Sequence, residues 1–274
     1  MSATSRLPEV PLEAGTLVLG DLHLDVSPQA SPPEAFAAWL GALEEVPRLV
    51  VLGDLFDAWA GAAQLRLRAA RAVCDLLRER TRVGTALEVL HGNRDFLLDG
   101  EFARATGARL HPHGFVGLLP GSLPVRALFL HGDELCTRDH AYQRLKLVLR
   151  SRPVRWLSAC LPGALAVGAA GRLRATSMRA IAAKPAAAKE QQEEAARDLA
   201  RAHRCTELVC GHSHRFRDQP LPGGPRWRVV DAFGHGRDLL RVGSGGEFEP
   251  SVSIGTRPGW LSAALSSPGT GLGG

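Results

Sequence analysis

Five times along the chain a short apolar run, rich in Val and Leu, stops abruptly at glycine and a residue type that can bind a metal. Thr16 to Leu19 runs into Gly20 and Asp21, and Leu49 to Leu52 into Gly53 and Asp54. Leu87 to Leu90 runs into His91, Gly92 and Asn93, Ala127 to Leu130 into His131, Gly132 and Asp133, and Leu208 to Cys210 into Gly211 and His212. Runs of this length and composition fit buried strands. Helical patterns lie between the early ones. Ser31, Pro32, Pro33 and Glu34 predict a capping box with proline at the first helical position, opening a helix toward Leu43. Gln64 to Arg80 predicts a second helix, and Asp99 a cap for a short third one that stops at Gly107. Strands alternating with helices imply an α/β fold. In such folds ligands gather at the carboxyl ends of strands, where each of these polar clusters sits.

From Asp139 to His203 the pattern is mostly helical, with no strand signal, and it interrupts the series of strand–loop units. The expected organisation is therefore a core in two parts, residues 1–138 and 204–245, with a helical cap insertion over 139–203. Residues 246–274, rich in Gly, Ser and Pro, are expected to form a flexible tail. No internal repeat of fixed period is present.

Composition excludes several function classes. The 274 residues are 45% hydrophobic and 22% charged, enough to bury a sizeable core. The 33 basic against 28 acidic residues leave a net charge of +5. That excess suits an anionic substrate or an anionic membrane surface, and scattered solvated arginines account for it equally well. No Lys/Arg run interleaved with aromatics suggests a nucleic-acid track, so no nucleic-acid partner is expected. Five cysteines, an odd number with no CxxC pair, point to a reduced, cytoplasmic protein. The opening MSATSRLPEVPLEAG lacks the apolar core of a signal peptide. The most apolar stretch, Trp156 to Gly171, is shorter than the ~20 residues a spanning helix needs; Pro162 interrupts it, and Arg155 and Arg172 flank it.

The loops together offer Asp21, His23, Asp54, Asn93, His131, His212 and His214. Carboxylate, amide oxygen and imidazole suit Mn, Fe or Zn in an open, octahedral-like site, and the absence of thiolate argues against a closed structural zinc site. Seven ligands are too many for one ion that must also hold water and substrate. They suit two ions sharing a bridging carboxylate, about 3.5–4 Å apart, which can activate water and clamp both the attacking and leaving oxygens of a phosphoryl group. Gly20, Gly53, Gly92, Gly132 and Gly211 would let the backbone turn sharply out of each strand. A lone Gly-Asp is usually only a turn, and a lone His-x-His is weak. The signal is the ordered set of five.

The motifs GDLHL (20–24), GDLFDAW (53–59), HGNRDFLL (91–98), HGDELC (131–136) and GHSH (211–214) resemble those of the calcineurin-like metallophosphoesterases. The resemblance extends from about Gly15 to Val242. It implies a sandwich of two β-sheets flanked by helices and two ions bridged by Asp54. Asp21, His23 and His214 would hold one ion, and Asn93, His131 and His212 the other.

Two longer motifs narrow the resemblance. GNRDFLL has Arg94 where the superfamily usually has His, and HGDELCTRDHAYQ runs from His131 to Gln143. Both are similar to motifs of the UDP-2,3-diacylglucosamine diphosphatases of lipid A biosynthesis. Those enzymes split UDP-2,3-diacylglucosamine into UMP and 2,3-diacylglucosamine 1-phosphate. The resemblance implies two Mn²⁺ ions, with Fe²⁺ or Zn²⁺ as alternatives, an acylated UDP-sugar substrate, and a cytoplasmic location in peripheral contact with the inner membrane. Oligomeric state stays open, with a monomer favoured.

Arg94 and Asp95 are the expected catalytic residues. A diphosphate ester expels a phosphate monoester of low pKa and needs little general-acid help, whereas a permanently charged guanidinium can bind phosphate oxygens and stabilise developing charge. The plain alternative is an Arg94–Asp95 salt bridge. Arg94, Asp139, Tyr142, Arg174, Ser177, Lys184 and His212 align with positions that contact substrate in the family. For Tyr142, the only tyrosine, the alternative is a buried aromatic on an amphipathic helix. Trp156 to Gly171 would supply an apolar chamber for acyl chains, or simply pack within the cap.

Departures from the family pattern occur at Ile181, in place of Asn, across Pro185 to Arg197, at Cys210, in place of His, and at Arg138, in place of an acidic residue. None removes a metal ligand. They motivate an alternative: a phosphodiesterase or phosphatase for another nucleotide or diphosphate. A non-catalytic binding scaffold would be expected to lose ligands, and all seven are present.

Overall fold

The structure of the chain, a computed structural model, describes residues 6–122, 125–149 and 190–253. Strands β2 (Leu17–Leu19), β3 (Arg48–Val51) and β4 (Ala86–Leu90) are the first three of the apolar runs, and they pair in parallel. With β5 (Arg109–His111), β11 (Leu239–Val242) and β12 (Phe248–Ser251) they form one sheet in the order β12-β11-β2-β3-β4-β5. The remaining two runs are β7 (Val125–Phe129) and β8 (Glu207–Cys210), again parallel neighbours. They join β1 (Glu9–Pro11), β6 (Phe115–Leu119), β9 (Arg217–Pro220) and β10 (Arg226–Val229) in a second sheet, ordered β1-β6-β7-β8-β10-β9.

Side chains alternate across each strand, and here both faces are covered. Val18, Val50, Leu52 and Leu90 of the first sheet meet Phe115, Ala127, Phe129 and Val209 of the second. The other face of the first sheet, with Leu17, Leu19, Leu49, Val51, Leu87 and Val89, packs on α1 (Glu34–Ala42), α2 (Arg68–Arg82) and α3 (Gly100–Thr106) through Phe36, Trp39, Leu77 and Phe102. The second sheet covers Leu128, Leu208, Cys210 and Trp227 with Ala196 and Ala200 of α5 (Glu193–Ala202). The result is a helix–sheet–sheet–helix sandwich. Burial on both faces is why the central strands read as continuous apolar runs.

Glu88 interrupts that pattern from within β4. It is fully buried between the sheets, where its carboxylate meets Arg48 Nη1, Arg109 Nη1 at 3.5 Å and His111 Nε2 at 2.7 Å. Arg48 is held from its other side by both Glu13 oxygens at 3.0 Å.

Several sequence expectations change. The capping box at Ser31 does not form: α1 starts at Glu34, after both prolines, with Pro33 at the cap and no side-chain cap bond. Gln64 to Arg80 is not one helix, because extended Leu67 separates a 3-10 turn (Ala62–Arg66) from α2. Asp99 does cap α3, accepting from the amides of Glu101 and Phe102, and Gly107 ends it at φ 79°. The span expected as cap, 139–203, holds α4 (His140–Leu149) and also α5, which packs on the second sheet as part of the sandwich. The stretch from 246 is not all tail, since β12 pairs with β11, Phe248 is buried, and the Ser253 amide donates to Asp238. Arg174, Ser177, Lys184 and the Trp156–Gly171 stretch lie outside the described residues. Among the described residues no helix is long and apolar enough to cross a membrane.

Candidate metal centre and its neighbours

The five ligand loops leave the carboxyl ends of β2, β3, β4, β7 and β8, so three come from one sheet and two from the other. Backbone bonds zip them together within each sheet: His23 N to Asp54 O at 2.9 Å, and Gly211 N to His131 O at 2.9 Å. Two further bonds cross between the sheets. His212 N donates to Asp21 Oδ2 at 2.7 Å, and His131 Nδ1 bonds the Leu52 carbonyl at 2.9 Å.

Close approach is the main reason for the glycines. A Cβ at Gly92 would stand 2.0 Å from Asp54 Oδ1, and one at Gly211 would stand 2.4 Å from Asp21 Oδ2. Only Gly53 and Gly132 of the expected five have positive φ. The left-handed turns fall instead on the ligand candidates themselves: Asp21, His23, Asp54, His212 and His214 have φ between 48° and 71°. That region is uncommon for residues with a Cβ and is held only where the surroundings over-determine it.

All seven candidates converge. The donor atoms of Asp21, His23 and His214 lie within 4.8 Å of one another, as do those of Asp21, Asp54 and His131. His23 Nε2 faces His214 Nε2 at 3.1 Å. Asn93 Oδ1 is met by His131 Nε2 at 3.0 Å and by His212 Nδ1 at 3.1 Å. Asp54 Oδ2 sits between the groups, 3.9 Å from His23 Nδ1 and 3.7 Å from His131 Nε2.

This arrangement fits divalent ions better than it fits itself. Asp21 Oδ1 and His23 Nδ1 are buried without a hydrogen-bond partner, a costly state unless something else satisfies them. The electrostatics are conflicted in the same way. Burial pushes Asp54 up to about 7. Burial, then the charge of Arg94, pushes His23 down to about 3, and burial pushes His212 down to about 4. At His131 burial is outweighed by Asp54, Asp133, Asp21 and Glu134, which draw it up to about 9. Carboxylates that hold a proton on a buried imidazole invite a cation in its place. The His131 Nδ1 contact to Leu52 O leaves Nε2 directed at the cluster, as ligating imidazoles require.

Arg94 lies beside this cluster. Its amide donates to Asp54 Oδ1 at 2.9 Å, its Nε is 3.6 Å from Asp54 Oδ2, and its Nη1 donates to Asp57 Oδ1 at 2.6 Å. Its partners are thus Asp54 and Asp57, not Asp95. Asp95, expected as a catalytic residue, is fully buried and accepts from the amides of Gly92, Leu55 and Phe56. It ties the Asp54 and Asn93 loops together. Asp139 accepts from the Tyr142 amide at 3.0 Å at the start of α4. The Tyr142 hydroxyl, expected at the substrate, donates to buried Asp133 Oδ2.

Two contributors were not singled out in the sequence. Asp57 lies three residues after Asp54 within GDLFDAW, a spacing that could have flagged it. Gln191 donates to the carbonyls of Gly132 at 3.2 Å and Gly211 at 3.0 Å; no local pattern marked it.

The calcineurin-like phosphoesterase family profile matches residues 15–216, and the chain belongs to that family. It is accordingly a metal-dependent hydrolase of the dinuclear class. Closer similarity is to proteins named UDP-2,3-diacylglucosamine hydrolase. That of Pseudomonas aeruginosa is 36% identical over 220 residues, covering 78% of this chain and 88% of its own. That of Ralstonia nicotianae is 34% identical over 240 residues (84% and 88%), and that of Sodalis glossinidius 34% over 245 (88% and 99%). Among solved structures, a Vps29 of Entamoeba histolytica covers 86% of this chain and 97% of its own, at 14% identity and a TM-score of 0.41.

Proposed function

We propose that the chain hydrolyses the diphosphate bond of UDP-2,3-diacylglucosamine, giving UMP and 2,3-diacylglucosamine 1-phosphate. The observation that carries the chemistry is the meeting of the two donor groups at Asp54, with the Arg94 guanidinium alongside. The substrate rests on the named relatives and on Arg94 within GNRDFLL. Asp21, His23 and His214 would hold one ion, Asn93, His131 and His212 the other, and Asp54 both. When bound there, two such ions, Mn²⁺ in this reading, would supply Lewis acidity and a means of activating water.

The protein's own groups supply the rest. Asp57 holds Arg94 so that its guanidinium is presented at the Asp54 edge of the cluster, where it can bind a phosphate oxygen and stabilise charge as the bond breaks. Water adds to the α-phosphorus, the bridging oxygen leaves with the sugar phosphate, and that monoester needs little proton donation. Asp139 and Tyr142 at the root of α4, with Arg174, Ser177 and Lys184, would line the approach of the head group, and Trp156 to Gly171 the acyl chains. An acylated substrate resides in a bilayer, so the reading places the protein at the cytoplasmic face of the inner membrane, in peripheral contact. Purified protein given this substrate and Mn²⁺ should release UMP. No release from protein with bound metal would discard the lipid assignment.

A further inference from the structure

The residues on either side of the span 150–189 grip the same short turn. That turn, Asp133–Leu135, directly follows His131 and Gly132. From the entry side, α4 reaches it through three side chains. Lys146 Nζ lies 2.8 Å from Asp133 Oδ2 and 2.9 Å from Glu134 Oε1, and the Tyr142 hydroxyl donates to Asp133. Gln143 Nε2 donates to the carbonyls of Asp133 at 2.9 Å and Cys136 at 3.2 Å. Glu134 in turn accepts from the Gly132 amide at 3.1 Å.

From the exit side, Gln192 N donates to Leu135 O at 2.9 Å. The Gln191 carboxamide reaches further in, donating to Gly132 O and Gly211 O. Those carbonyls belong to the residues that follow His131 and precede His212. The fit is close, because a Cβ on Gly132 would stand 2.5 Å from Gln191 Nε2. The Gln191 amide thus adds a side-chain tie beside the Gly211 N to His131 O backbone bond that already joins the two loops, and each loop carries one imidazole that faces Asn93 Oδ1.

We propose that Gln191 and Gln143 are positioning residues for one ion: Gln191 ties the His131 loop to the His212 loop, and Gln143 fixes the turn that follows His131. The described residues of α4, Gln191 and Gln192 and the ion site formed by Asn93, His131 and His212 then act as one mechanical unit. The inference rests on the dinuclear reading above and not on the identity of the substrate. It predicts unequal effects, since among the described residues the other donor group, Asp21, His23 and His214, takes no bond from either glutamine and is reached only indirectly, through the loop that His214 shares with His212 and the His212 amide bond to Asp21.

The test uses the full chain, stripped by chelation and titrated with Mn²⁺ alone. Wild type should take up two ions. Gln191→Met, nearly the same shape without the donors, should keep one ion at wild-type affinity and bind the other roughly 10–100-fold more weakly, the scale found for partners behind metal ligands. Its kcat should recover as Mn²⁺ is raised. Gln143→Met asks the same question from the entry side and should shift the same ion, which keeps the test decisive if one variant folds poorly. Two ions at wild-type affinity in both variants, even with a lowered Tm, would overturn the proposal, as would a wild-type chain that takes up fewer than two. A selective loss supports it whether or not UMP is released from UDP-2,3-diacylglucosamine, so a wrong substrate and a wrong role for the glutamines give different results.

Discussion

Two of the buried charge clusters among the described residues are built on opposite terms. Around Glu88 every charge is answered by the protein: Arg48, Arg109 and His111 surround the carboxylate, and Glu13 takes the far side of Arg48. His111 pairs with Glu88, and its ring lies tilted against Phe115 at 4.7 Å between centroids. Around Asp54 the donors face one another instead. Two imidazole nitrogens meet at 3.1 Å, Asp21 Oδ1 has no hydrogen-bond partner, and five non-glycine residues sit in left-handed backbone. A buried charge matched internally serves the fold. Buried donors aimed at a common, unshared point serve something that is not part of the chain.

Substitutions should separate the clusters by kind of effect. Asp54→Ala should produce the largest change, loss of both ions and near-complete loss of turnover, read by metal content and UMP release. Normal activity would break the comparison. Glu88→Ala should do the reverse. It leaves Arg48 buried with only Glu13, at a cost of about 3 kcal/mol, the lower part of the range for breaking a buried pair, seen as a lower denaturation midpoint with Mn²⁺ affinity unchanged. Arg94→Ala should retain both ions while activity falls ~10²-fold, the scale of losing one charge-stabilising donor; metal lost with it would make Arg94 structural.

A smaller effect sharpens the contrast through its sign. Burial raises Asp54 to about 7, so in chelated protein its ionisation opposes folding, increasingly as pH rises from the ordinary carboxylate range to about 7 and fully above that. Asp54→Asn removes the charge but keeps an acceptor for the Arg94 amide. It should therefore raise the Tm of chelated protein at pH 8 and leave it unchanged near pH 4. A lower Tm at pH 8 would show that the Asp54 charge is satisfied within the fold after all.

What could be read in the sequence follows from this division. The strands that feed the site were legible because double burial writes them as unbroken Val/Leu runs, and the loops because each needs glycine where backbone meets a carboxylate. Strands with polar positions were not. Arg226 to Val229 places Trp227 and Val229 outward under α5 while Arg228 bonds Glu207, and that alternation hid a buried strand. Phe248 to Ser251 sat among Gly, Ser and Pro, which suggested mobility until its partner β11 was in place. The seven donors were legible by type and order. Asp95 looks functional in one dimension because it is a carboxylate beside Arg94. Its commitment to three amides from two loops is visible only in three. Gln191 was invisible for a related reason, since its targets lie 59 and 20 residues away.

The claim on which all of this depends is that seven side chains from two sheets grip a pair of cations. Anomalous diffraction at the manganese edge, from a crystal grown with Mn²⁺, tests it directly. Two peaks about 3.5–4 Å apart are expected on either side of Asp54, one beside Asp21, His23 and His214 and the other beside Asn93, His131 and His212. A single peak, or peaks held by other side chains, would contradict it.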